Sequence, residues 1–593
     1  MLEKKTITLE SVLYFLAFGL ALAFRLIGLD GLPFNEAEAG WAWQAFQVSE
    51  GTPVQIGSQP AYVLLTSVFF SLFNSSEALA RLLPALAGSA VVLLPFVLRD
   101  KIGQTAALAA AFGLALDPLL VAISRQAGSS MLALGFAVLA FASWKLAKPG
   151  VLGIFSALFL LSGQNALLAI FSVFIALLFL TINGDRPRLE IDPAARKSFL
   201  VAGGITLLLV GTLGMRYPLG LSAMLQAVPD YFSGWIAAPG FWGQVPFVQA
   251  LLALPIYQPL ALFFGGIAII QRKTWQRQTT RHAAVLVFTI LLLTLLNPSR
   301  QVSDLIWVLL PLWLLAGLAL APFLSQKGDQ FSKVVWAQAM ISMLLLTFWW
   351  ANVIRISRIY FVNIPQGFKL IDLPTLDLGT KDYLSRMIVV VIVPLAIMLM
   401  TVVVVTAWSK RTALRGAVFG VGGFVGIYLI VTLFGINDLR PQQANELWSP
   451  VMASGYADDL QAALAELSEP STGTRFDIET VYQVDSPLLH WQLRNMPNAR
   501  YAPVLLSTDS PAVIINTTFD MDELGRPNAY RGEKIALQLY RNWGDRALPL
   551  DFDRWFIYRE APLEKQWVVV WAREDIFIGY QDTPDQIDPD AVE

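Results

Sequence analysis

Long apolar runs separated by short polar segments make up most of the chain before residue 437. About 20 apolar residues in a helix, with a range of about 17 to 25, cross the hydrocarbon core of a bilayer. Runs near this length predict about thirteen membrane-spanning helices. They are residues 11–27, 82–98, 105–121, 131–146, 151–161, 167–182, 199–213, 248–270, 283–296, 305–323, 335–353, 387–408 and 417–434. The shorter apolar stretch 62–73 predicts a helix along the membrane surface or an early turn of the next span.

Lysine and arginine are concentrated in every second connection between these spans. Such residues are enriched in the cytoplasmic loops of membrane proteins. The N-terminus is therefore predicted to be cytoplasmic, and an odd number of spans predicts an extracytoplasmic C-terminus. The clusters assigned to the cytoplasm are Lys4 and Lys5; Arg99 and Lys101; Lys145 and Lys148; Arg186, Arg188, Arg196 and Lys197; Arg272, Lys273, Arg277 and Arg281; Lys327 and Lys333; and Lys410, Arg411 and Arg415.

The composition changes after residue 436, where charged residues become dense. Strand-like runs at 512–516 and 566–571 and a helical stretch at 457–467 predict a soluble α/β domain. The predicted organisation is a transmembrane domain at 1–436, an extracytoplasmic α/β domain at 437–580 and an acidic disordered tail at 581–593. The first outer loop of the transmembrane domain is placed at 29–80.

The overall composition narrows the chemistry that the chain can perform. Of its 593 residues 55% are hydrophobic and 15% are charged, and the net charge is −2, so we expect a bilayer partner and no nucleic-acid partner. The chain has no cysteine and two histidines, which excludes disulfides, thiolate nucleophiles and cysteine-based zinc sites. Chemistry must therefore use carboxylates, hydroxyls and cations.

The most informative polar segment directly follows the first predicted span. Residues 33–45 read PFNEAEAGWAWQA and contain Glu36 and Glu38. The segment is predicted to be a loop at the outer membrane surface, where Trp41 and Trp43 suit the interfacial layer. In an extended loop the two carboxylates would point to one side, whereas on a helix they would diverge by about 200 degrees.

A carboxylate in this place can accept a proton from a hydroxyl group. It can also bind a divalent cation, Mg²⁺ or Mn²⁺, together with a phosphate. The alternative is a pair of ordinary solvated loop charges.

Four segments share a pattern with one known superfamily. They are FNEAEA at 34–39 with the aromatic and small residues up to 45, QPAY at 59–62, SSEALARLLPALAG at 75–88, and ISRQAGSSM at 123–131. They resemble the GT-C glycosyltransferases, which include protein O-mannosyltransferases, the lipid A aminoarabinose transferase and dolichyl-phosphate-mannose-type enzymes. Members commonly carry a Phe-x-x-Asp-Glu-Ala run in the first outer loop and a Ser/Ala-Arg pair in the second.

The resemblance implies a polytopic α-helical membrane protein of GT-C type, with about thirteen spans and a C-terminal extracytoplasmic α/β domain. It also implies an inverting glycosyltransferase that moves a sugar from a polyprenyl-phosphate-linked donor to a protein, glycan or lipid acceptor on the extracytoplasmic face. Glu38 matches the family glutamate, whereas the family aspartate, thought to be the base, falls on Ala37. Glu36 or Glu38 is therefore the expected base. The second outer loop also lacks an acid after Arg125, which weighs against a metal site built on two loops.

A phosphate-linked donor requires positive charge near the phosphate as the bond to the sugar breaks. Arg125, Arg216 and Arg300 are the candidates. Arg300, in the family-like segment 297–317, is favoured together with Arg125 as a phosphate ligand. An interfacial arginine that reaches lipid headgroups is the alternative for Arg300. Arg25 and Arg81 are expected to be structural or lipid-facing anchors.

The run VYQVDSPLLHWQLRNMPNARY at 481–501 has a looser resemblance to large bacterial and archaeal GT-C proteins. Trp491, Arg494 and His490 are candidates for binding an acceptor sugar, because aromatic faces stack on sugar rings and guanidinium groups bind hydroxyls. Trp41 or Trp43 is expected to border the sugar. A buried tryptophan and a solvated arginine in an ordinary α/β domain are the alternative.

Two other functions compete with catalysis. The replacement of the family aspartate by Ala37 is consistent with a catalytically degenerate GT-C scaffold or assembly protein. A lipid-sugar transporter is disfavoured, because transporters often carry ionisable residues in mid-span and most charges here lie at span ends.

Overall fold

A computed structural model describes most of the chain. The described residues are 8–184, 193–237, 245–325, 332–358, 377–436, 446–448, 451–453, 457–506, 508–520, 529–543 and 546–577. The predicted acidic tail lies outside the described residues.

The chain forms two compact units. The helical unit comprises Met1–Gly31, Gln44–Pro450 and Asn542–Pro562. The sheet unit comprises Leu32–Trp43, Val451–Arg541 and Leu563–Glu593. This division differs from a single boundary after residue 436, because a short early segment groups with the sheet and a short late segment groups with the helices.

The part of the chain before residue 437 is built from α-helices. Their bounds are Leu9–Leu26, Glu36–Ser49, Pro60–Phe73, Glu77–Val91, Leu94–Ile102, Gln104–Ala115, Pro118–Ser124, Ser129–Lys145, Pro149–Leu161, Gln164–Ile182, Pro193–Gly211, Leu219–Ala237, Phe247–Tyr257, Pro259–Ile270, Arg272–Trp275, Gln278–Leu296, Ile306–Leu324, Ser332–Ile356, Leu378–Ala407 and Lys410–Phe434, with a 3₁₀ helix at Val302–Leu305.

Each predicted span falls on a helix or a bent helix pair. Within the described residues, nine helices are long and apolar enough to cross a membrane, or up to eleven if each of two bent pairs is one span. Ser129–Lys145 and Pro149–Leu161 are shorter apolar helices. The prediction of a polytopic α-helical membrane protein is confirmed, and the chain is an integral membrane protein.

Two apolar helices lie outside the thirteen predicted spans. The apolar stretch 62–73 is a separate helix, Pro60–Phe73, which ends at Asn74 with a positive φ of 65° and has a largely buried first half. Leu219–Ala237 was not predicted as a helix, since Asp230 and an internal proline interrupt its apolar pattern.

The first bent pair breaks between Gln104–Ala115 and Pro118–Ser124, at an angle of 53°. Pro118 has no N–H and disfavours helical geometry in the residue before it, so a new helix begins there. Asp117 caps this second helix, because its Oδ1 accepts the backbone N–H of Leu120 at 2.9 Å. The helix Pro118–Ser124, which begins at a proline within an apolar segment, is therefore capped by the residue directly before it.

Asp117 also connects the break to two neighbouring elements. Gln258, at the 92° bend between Phe247–Tyr257 and Pro259–Ile270, donates to Oδ1 at 3.0 Å. The Trp313 indole N–H donates to Oδ2 at 2.7 Å. The Trp313 ring can approach because Gly113 faces it, where an added Cβ would lie 2.1 Å from the ring. The two bent pairs are thus joined through one buried carboxylate.

Arg25 satisfies the end of the helix before this break. Its guanidinium is fully buried and donates to the carbonyls of Leu114 and Ala115, both at 3.2 Å, and to the Ser124 hydroxyl at 3.1 Å. The last carbonyls of a helix have no partner within it, and an apolar surrounding offers no water to replace one. Arg25 therefore has the structural role expected from its sequence context.

The sheet unit contains a mixed six-stranded sheet in the order β1-β5-β6-β4-β2-β3. Strand β2 pairs in parallel with β3 and β4, and the other pairings are antiparallel. Strand β4 and the centre of β6 are buried, and both match strand-like runs in the sequence. The strands are β1 Val451–Ala453, β2 Thr480–Tyr482, β3 Ala499–Tyr501, β4 Val513–Asn516, β5 Tyr530–Arg541 and β6 Leu563–Arg573.

Short helices accompany the sheet, and the prediction of a C-terminal α/β domain is confirmed. The helices of the sheet unit after residue 450 are Ala457–Thr472, Pro487–Gln492 and the 3₁₀ helix Glu574–Phe577. The connection between β5 and β6 carries a further helix, Phe552–Tyr558, which belongs to the helical unit.

A buried ion pair anchors this connection within the helical unit. Arg559 Nε lies 3.3 Å from Glu446 Oε1, and the two side chains are 3% and 2% exposed. The Tyr257 hydroxyl donates to the other Glu446 oxygen at 2.5 Å, and the Arg559 guanidinium reaches the Tyr428 hydroxyl at 3.4 Å. Four elements that are distant in sequence therefore meet at one pair of opposite charges.

We expect Glu446→Gln to destabilise the protein by about 3–5 kcal/mol, because it leaves the Arg559 charge buried without its counter-ion. Thermal unfolding of the full chain in detergent measures this loss. Glu560→Gln is the matched control: it breaks the exposed Arg554–Glu560 pair, which should cost about 0–1 kcal/mol. Equal falls in unfolding temperature would contradict the special role of the buried pair.

Candidate active site

Glu36 and Glu38 lie in the first turn of a helix, Glu36–Ser49, and not in a loop. The helix starts there because Asn35 and Glu38 form a reciprocal cap. The Glu38 N–H donates to Asn35 Oδ1 at 2.9 Å, and the Asn35 N–H donates to Glu38 Oε2 at 3.3 Å. The predicted loop is therefore wrong, and the two carboxylates diverge around the helix instead of pointing to one side.

Glu38 acts as part of this cap. Its side chain is 5% exposed, and one carboxylate oxygen holds the N–H of Asn35. The sequence contained this signal, since Asn followed by an acid three residues later is a common helix start. The family-matched glutamate thus has a structural task.

Glu36 is half-buried and faces residues of the C-terminal part of the sheet unit. The Ser486 hydroxyl donates to Glu36 Oε2 at 3.1 Å, and Gln538 Nε2 donates to the same oxygen. The backbone N–H of Leu488 also donates to this carboxylate. Neither Ser486 nor Gln538 is a candidate from the sequence: Ser486 lies in the run 481–501 without a family match of its own, and Gln538 lies in no motif.

Burial raises the pKa of Glu36, while the hydrogen bonds from Ser486, Gln538 and Leu488 act in the opposite direction. A carboxylate with a raised pKa is a stronger base than a solvent-exposed one. It also remains ionised at neutral pH when hydrogen bonds stabilise its charge. The site of Glu36 therefore suits proton transfer.

One face of the helix that begins at Glu36 contacts the segment around residue 488. Gly40 lies against Pro487, where an added Cβ would be 3.5 Å from the proline Cβ. Trp43 stacks on the His490 ring, with centroids 5.5 Å apart and planes at 11°. Glu36, Gly40 and Trp43 are spaced as successive turns of one helix face.

His490 is held at both ring nitrogens. Its Nε2 lies 3.0 Å from Asp485 Oδ1, and its Nδ1 lies 2.7 Å from the Tyr482 hydroxyl. An ionised aspartate can only accept, so neutral His490 carries its proton on Nε2 and accepts from Tyr482. Burial, with a contribution from Asp485, raises the pKa of Tyr482 to about 12, which keeps this hydroxyl protonated.

Trp491 has no ring face open to a sugar. It is completely buried, with the Phe34 ring centroid at 5.1 Å and the Arg494 guanidinium 3.8 Å above its ring. Arg494 also donates to the Trp491 carbonyl at 2.7 Å. The predicted substrate-binding role does not fit Trp491, and its pairing with Arg494 explains why the two residues are adjacent in the motif. Trp41 is half-buried.

The candidate phosphate ligands lie in the helical unit, where two of them bind backbone carbonyls. Arg125 donates to the carbonyls of Phe24, Ile27 and Gly28 at 2.5–3.2 Å and is partly exposed. It therefore completes the C-terminal end of the helix Leu9–Leu26.

Arg300 is 1% exposed and donates to the carbonyls of Val245 at 2.6 Å and Leu295 at 3.2 Å. Arg216 is exposed. Arg81 donates to the Leu29 carbonyl at 3.0 Å and is 4% exposed, as expected of an anchor.

The described residues contain no dense cluster of possible metal ligands. No group of three or more His, Asp or Glu side chains among them could hold a metal ion. Glu36 and Glu38, the carboxylates proposed for that role, already accept hydrogen bonds from the protein.

We expect Glu38→Gln to retain the helix start, because glutamine also accepts the Asn35 N–H in a capping box. Glu38→Ala removes the acceptor and should cost about 0.5–2 kcal/mol. Hydrogen exchange of the amides at 35–40, with thermal unfolding, measures both effects. Loss of protection in Glu38→Gln as large as in Glu38→Ala would show that charge, and not capping, is what Glu38 supplies.

Comparison with family profiles and with curated protein sequences finds no match. Comparison with solved structures finds the crystal structure of ArnT from Cupriavidus metallidurans bound to undecaprenyl phosphate, with a TM-score of 0.52 and 14% identity, covering 94% of this chain and 97% of that one. The apo state of the same protein gives a TM-score of 0.50 at 12% identity, covering 95% and 98%.

A looser likeness links 84% of this chain to 64% of the oligosaccharyltransferase of Archaeoglobus fulgidus, at a TM-score of 0.42 and 12% identity. The likeness to ArnT extends over almost the whole of both chains. At this level of identity the likeness is one of fold: this chain shares the fold of ArnT, as the resemblance found in the sequence led us to expect.

Proposed function

We propose that this chain is an integral-membrane glycosyltransferase that moves a sugar from a polyprenyl-phosphate-linked donor to an acceptor. The observation that carries the proposal is the likeness to ArnT over 94% of the chain, since that protein was crystallised with undecaprenyl phosphate. The likeness includes the helices and the C-terminal sheet together. A fold shared at 14% identity does not identify the sugar or the acceptor. The candidates for the base and the phosphate ligand must therefore come from the residues of this chain.

The reaction is an inverting displacement at the anomeric carbon. The acceptor hydroxyl oxygen forms a bond to that carbon while the bond from the carbon to the phosphate oxygen breaks. The hydroxyl proton passes to a carboxylate, and the lipid phosphate leaves with the electron pair. The protein must therefore provide one base and positive charge near the leaving phosphate.

Glu36 is the better candidate for the base. Glu38 is almost fully buried and caps its own helix, whereas Glu36 is partly exposed. Burial also raises the pKa of Glu36, which favours proton abstraction near neutral pH. Glu36 lies one residue before Ala37, the position that matches the family aspartate.

Arg125 is the better candidate for the phosphate ligand. It is partly exposed, whereas Arg300 is 1% exposed and donates to two backbone carbonyls. The planar guanidinium of Arg125 has five N–H donors, so it can contact a phosphate while keeping some of its bonds to the end of the first helix.

The distribution of lysine and arginine along the chain supports an N-terminus in the cytoplasm and transfer on the extracytoplasmic face. With an odd number of spans, the C-terminal sheet would lie on that outer face as well. The proposed location is the plasma membrane.

We expect Glu36→Gln to lower transfer by about 10²–10⁴-fold, the usual contribution of a general base, with donor binding retained. Purified full-length protein in lipid, supplied with radiolabelled polyprenyl-phosphate mannose, glucose and arabinose, measures sugar transfer. Glu38→Gln is the matched control and should transfer at close to the wild-type rate. Wild-type protein that binds the donors and transfers none of them would instead support a scaffold that has lost the reaction, as the alanine at position 37 allows.

We expect Arg125→Gln to weaken binding of undecaprenyl phosphate by about 10-fold or more, since a hydrogen bond to a charged group contributes about 1.5–3 kcal/mol. Arg81→Gln is the matched control, because Arg81 also donates to a carbonyl just after the first helix but is 4% exposed. Binding measured by tryptophan fluorescence or calorimetry should change in the first variant only. Equal losses would assign Arg125 to helix capping alone.

A further inference from the structure

Gln538 is a buried amide whose orientation is fixed by its neighbours. It is 2% exposed and lies on β5 directly after a register shift between Ala536 and Gln538. Such bulges redirect a side chain out of the regular alternation of a strand. The amide nitrogen of Gln538 donates to Glu36 Oε2.

The Tyr540 hydroxyl lies beside the other end of that amide. It is 2.9 Å from Gln538 Oε1 and 2.6 Å from Gln566 Oε1 on β6, and its one hydrogen is donated to one of these two oxygens at a time. Residues two apart on a strand share one face, so Tyr540 and Gln538 point the same way. An ionised carboxylate only accepts hydrogen bonds, so the amide nitrogen of Gln538 is the end that faces Glu36, and the amide oxygen is the end that faces Tyr540.

Ser486 holds the same carboxylate oxygen from a second element. Its hydroxyl oxygen accepts the backbone N–H of Leu489 at 3.4 Å, which caps the helix Pro487–Gln492. Its hydroxyl hydrogen is then directed at Glu36 Oε2, 3.1 Å away. Strand β5 and the segment before this helix thus converge on one oxygen of one carboxylate.

We propose that Gln538 and Ser486 are positioning residues of Glu36: they hold Oε2 by two hydrogen bonds so that Oε1 receives the proton of the acceptor hydroxyl. The inference rests on the proposed function, in which Glu36 is the base. It assigns to strand β5 and to the segment before the helix Pro487–Gln492 a positioning role in the proposed reaction.

Removal of either donor should raise the pKa of Glu36 further, because hydrogen bonds to the charged form favour that form. A base is active when deprotonated, so activity falls as the pH drops through this pKa. A higher pKa therefore moves the acid limb of the pH–rate profile to higher pH. The other titratable groups that interact with Glu36 are His490 and Tyr540. Asp485 is hydrogen-bonded to His490, and Glu38 lies on the same helix as Glu36.

The test compares pH–rate profiles of the full-length protein in lipid for wild type, Gln538→Ala, Ser486→Ala and Tyr540→Phe. We expect each of the first two to shift the acid limb upward by about one pH unit and to lower kcat with little change in KM. Tyr540→Phe should shift it less, because the amide of Gln538 stays but loses its fixed orientation. Gln538→Glu keeps the shape and places a second carboxyl beside Glu36, so its shift should be the largest.

Gln492→Ala is the matched control. Gln492 is another buried glutamine of the sheet unit, 3% exposed and hydrogen-bonded to Gln461 at 2.8 Å. It should lower the unfolding temperature without moving the acid limb. An unmoved limb in Gln538→Ala and Gln538→Glu, with losses of activity like those of Gln492→Ala, would overturn the proposal and leave Gln538 a structural residue.

Infrared titration of the Glu36 carboxyl separates this inference from the proposed function. Difference spectra against Glu36→Gln report its protonation without turnover. An upward shift in Gln538→Ala together with full activity in Glu36→Gln would confirm the contact but remove Glu36 as the base. An unchanged titration of Glu36 in Gln538→Ala would show that Gln538 does not stabilise the carboxylate, whatever the enzyme activity of the variants.

Discussion

The end of a helix in an apolar surrounding has carbonyl groups that need donors, and in this protein arginine side chains supply them. The final carbonyls of a helix lack partners within it and carry partial negative charge. A guanidinium group supplies both the N–H donors and the positive charge, and within an apolar surrounding there is no water to replace it. Arginine-to-carbonyl pairs of this kind are Arg25 with Ala115, Arg125 with Ile27, Arg300 with Leu295, and Arg415 with Phe323.

The need to satisfy helix ends explains why charged side chains are buried among the helices. Buried cations beside apolar helices suggest binding of an anionic lipid, yet Arg25 and Arg300 donate to backbone carbonyls instead. Asp117 is the acidic counterpart, because it caps a helix that begins at a proline and joins two bent helix pairs. Side chains that complete the backbone hold the bends in place, and candidates for ligand binding are those that keep exposed surface, such as Arg125.

The amino-acid sequence predicts those parts of the structure whose signal lies within a few neighbouring residues. Apolar runs long enough to span a bilayer predict the helices, and strand-like runs predict β4 and β6. The capping pair of Asn35 and Glu38 is an equally local signal of a helix start, although two carboxylates directly after a predicted span also fit a surface loop. Gln538 could not be found this way, since it meets Glu36 across 502 positions and depends on a bulge that no spacing rule predicts.

The chain passes between its two units at five points rather than one. A strand pair, β5 and β6, is connected through Asn542–Pro562, which folds with the helices, and Leu32–Trp43 from the start of the chain belongs with the sheet. A fragment beginning near residue 437 would therefore lack one part of the sheet unit and carry another segment away from its own partners. Exchange of the chain at a single point would therefore separate Leu32–Trp43 from the rest of the sheet unit or carry helical segments with it.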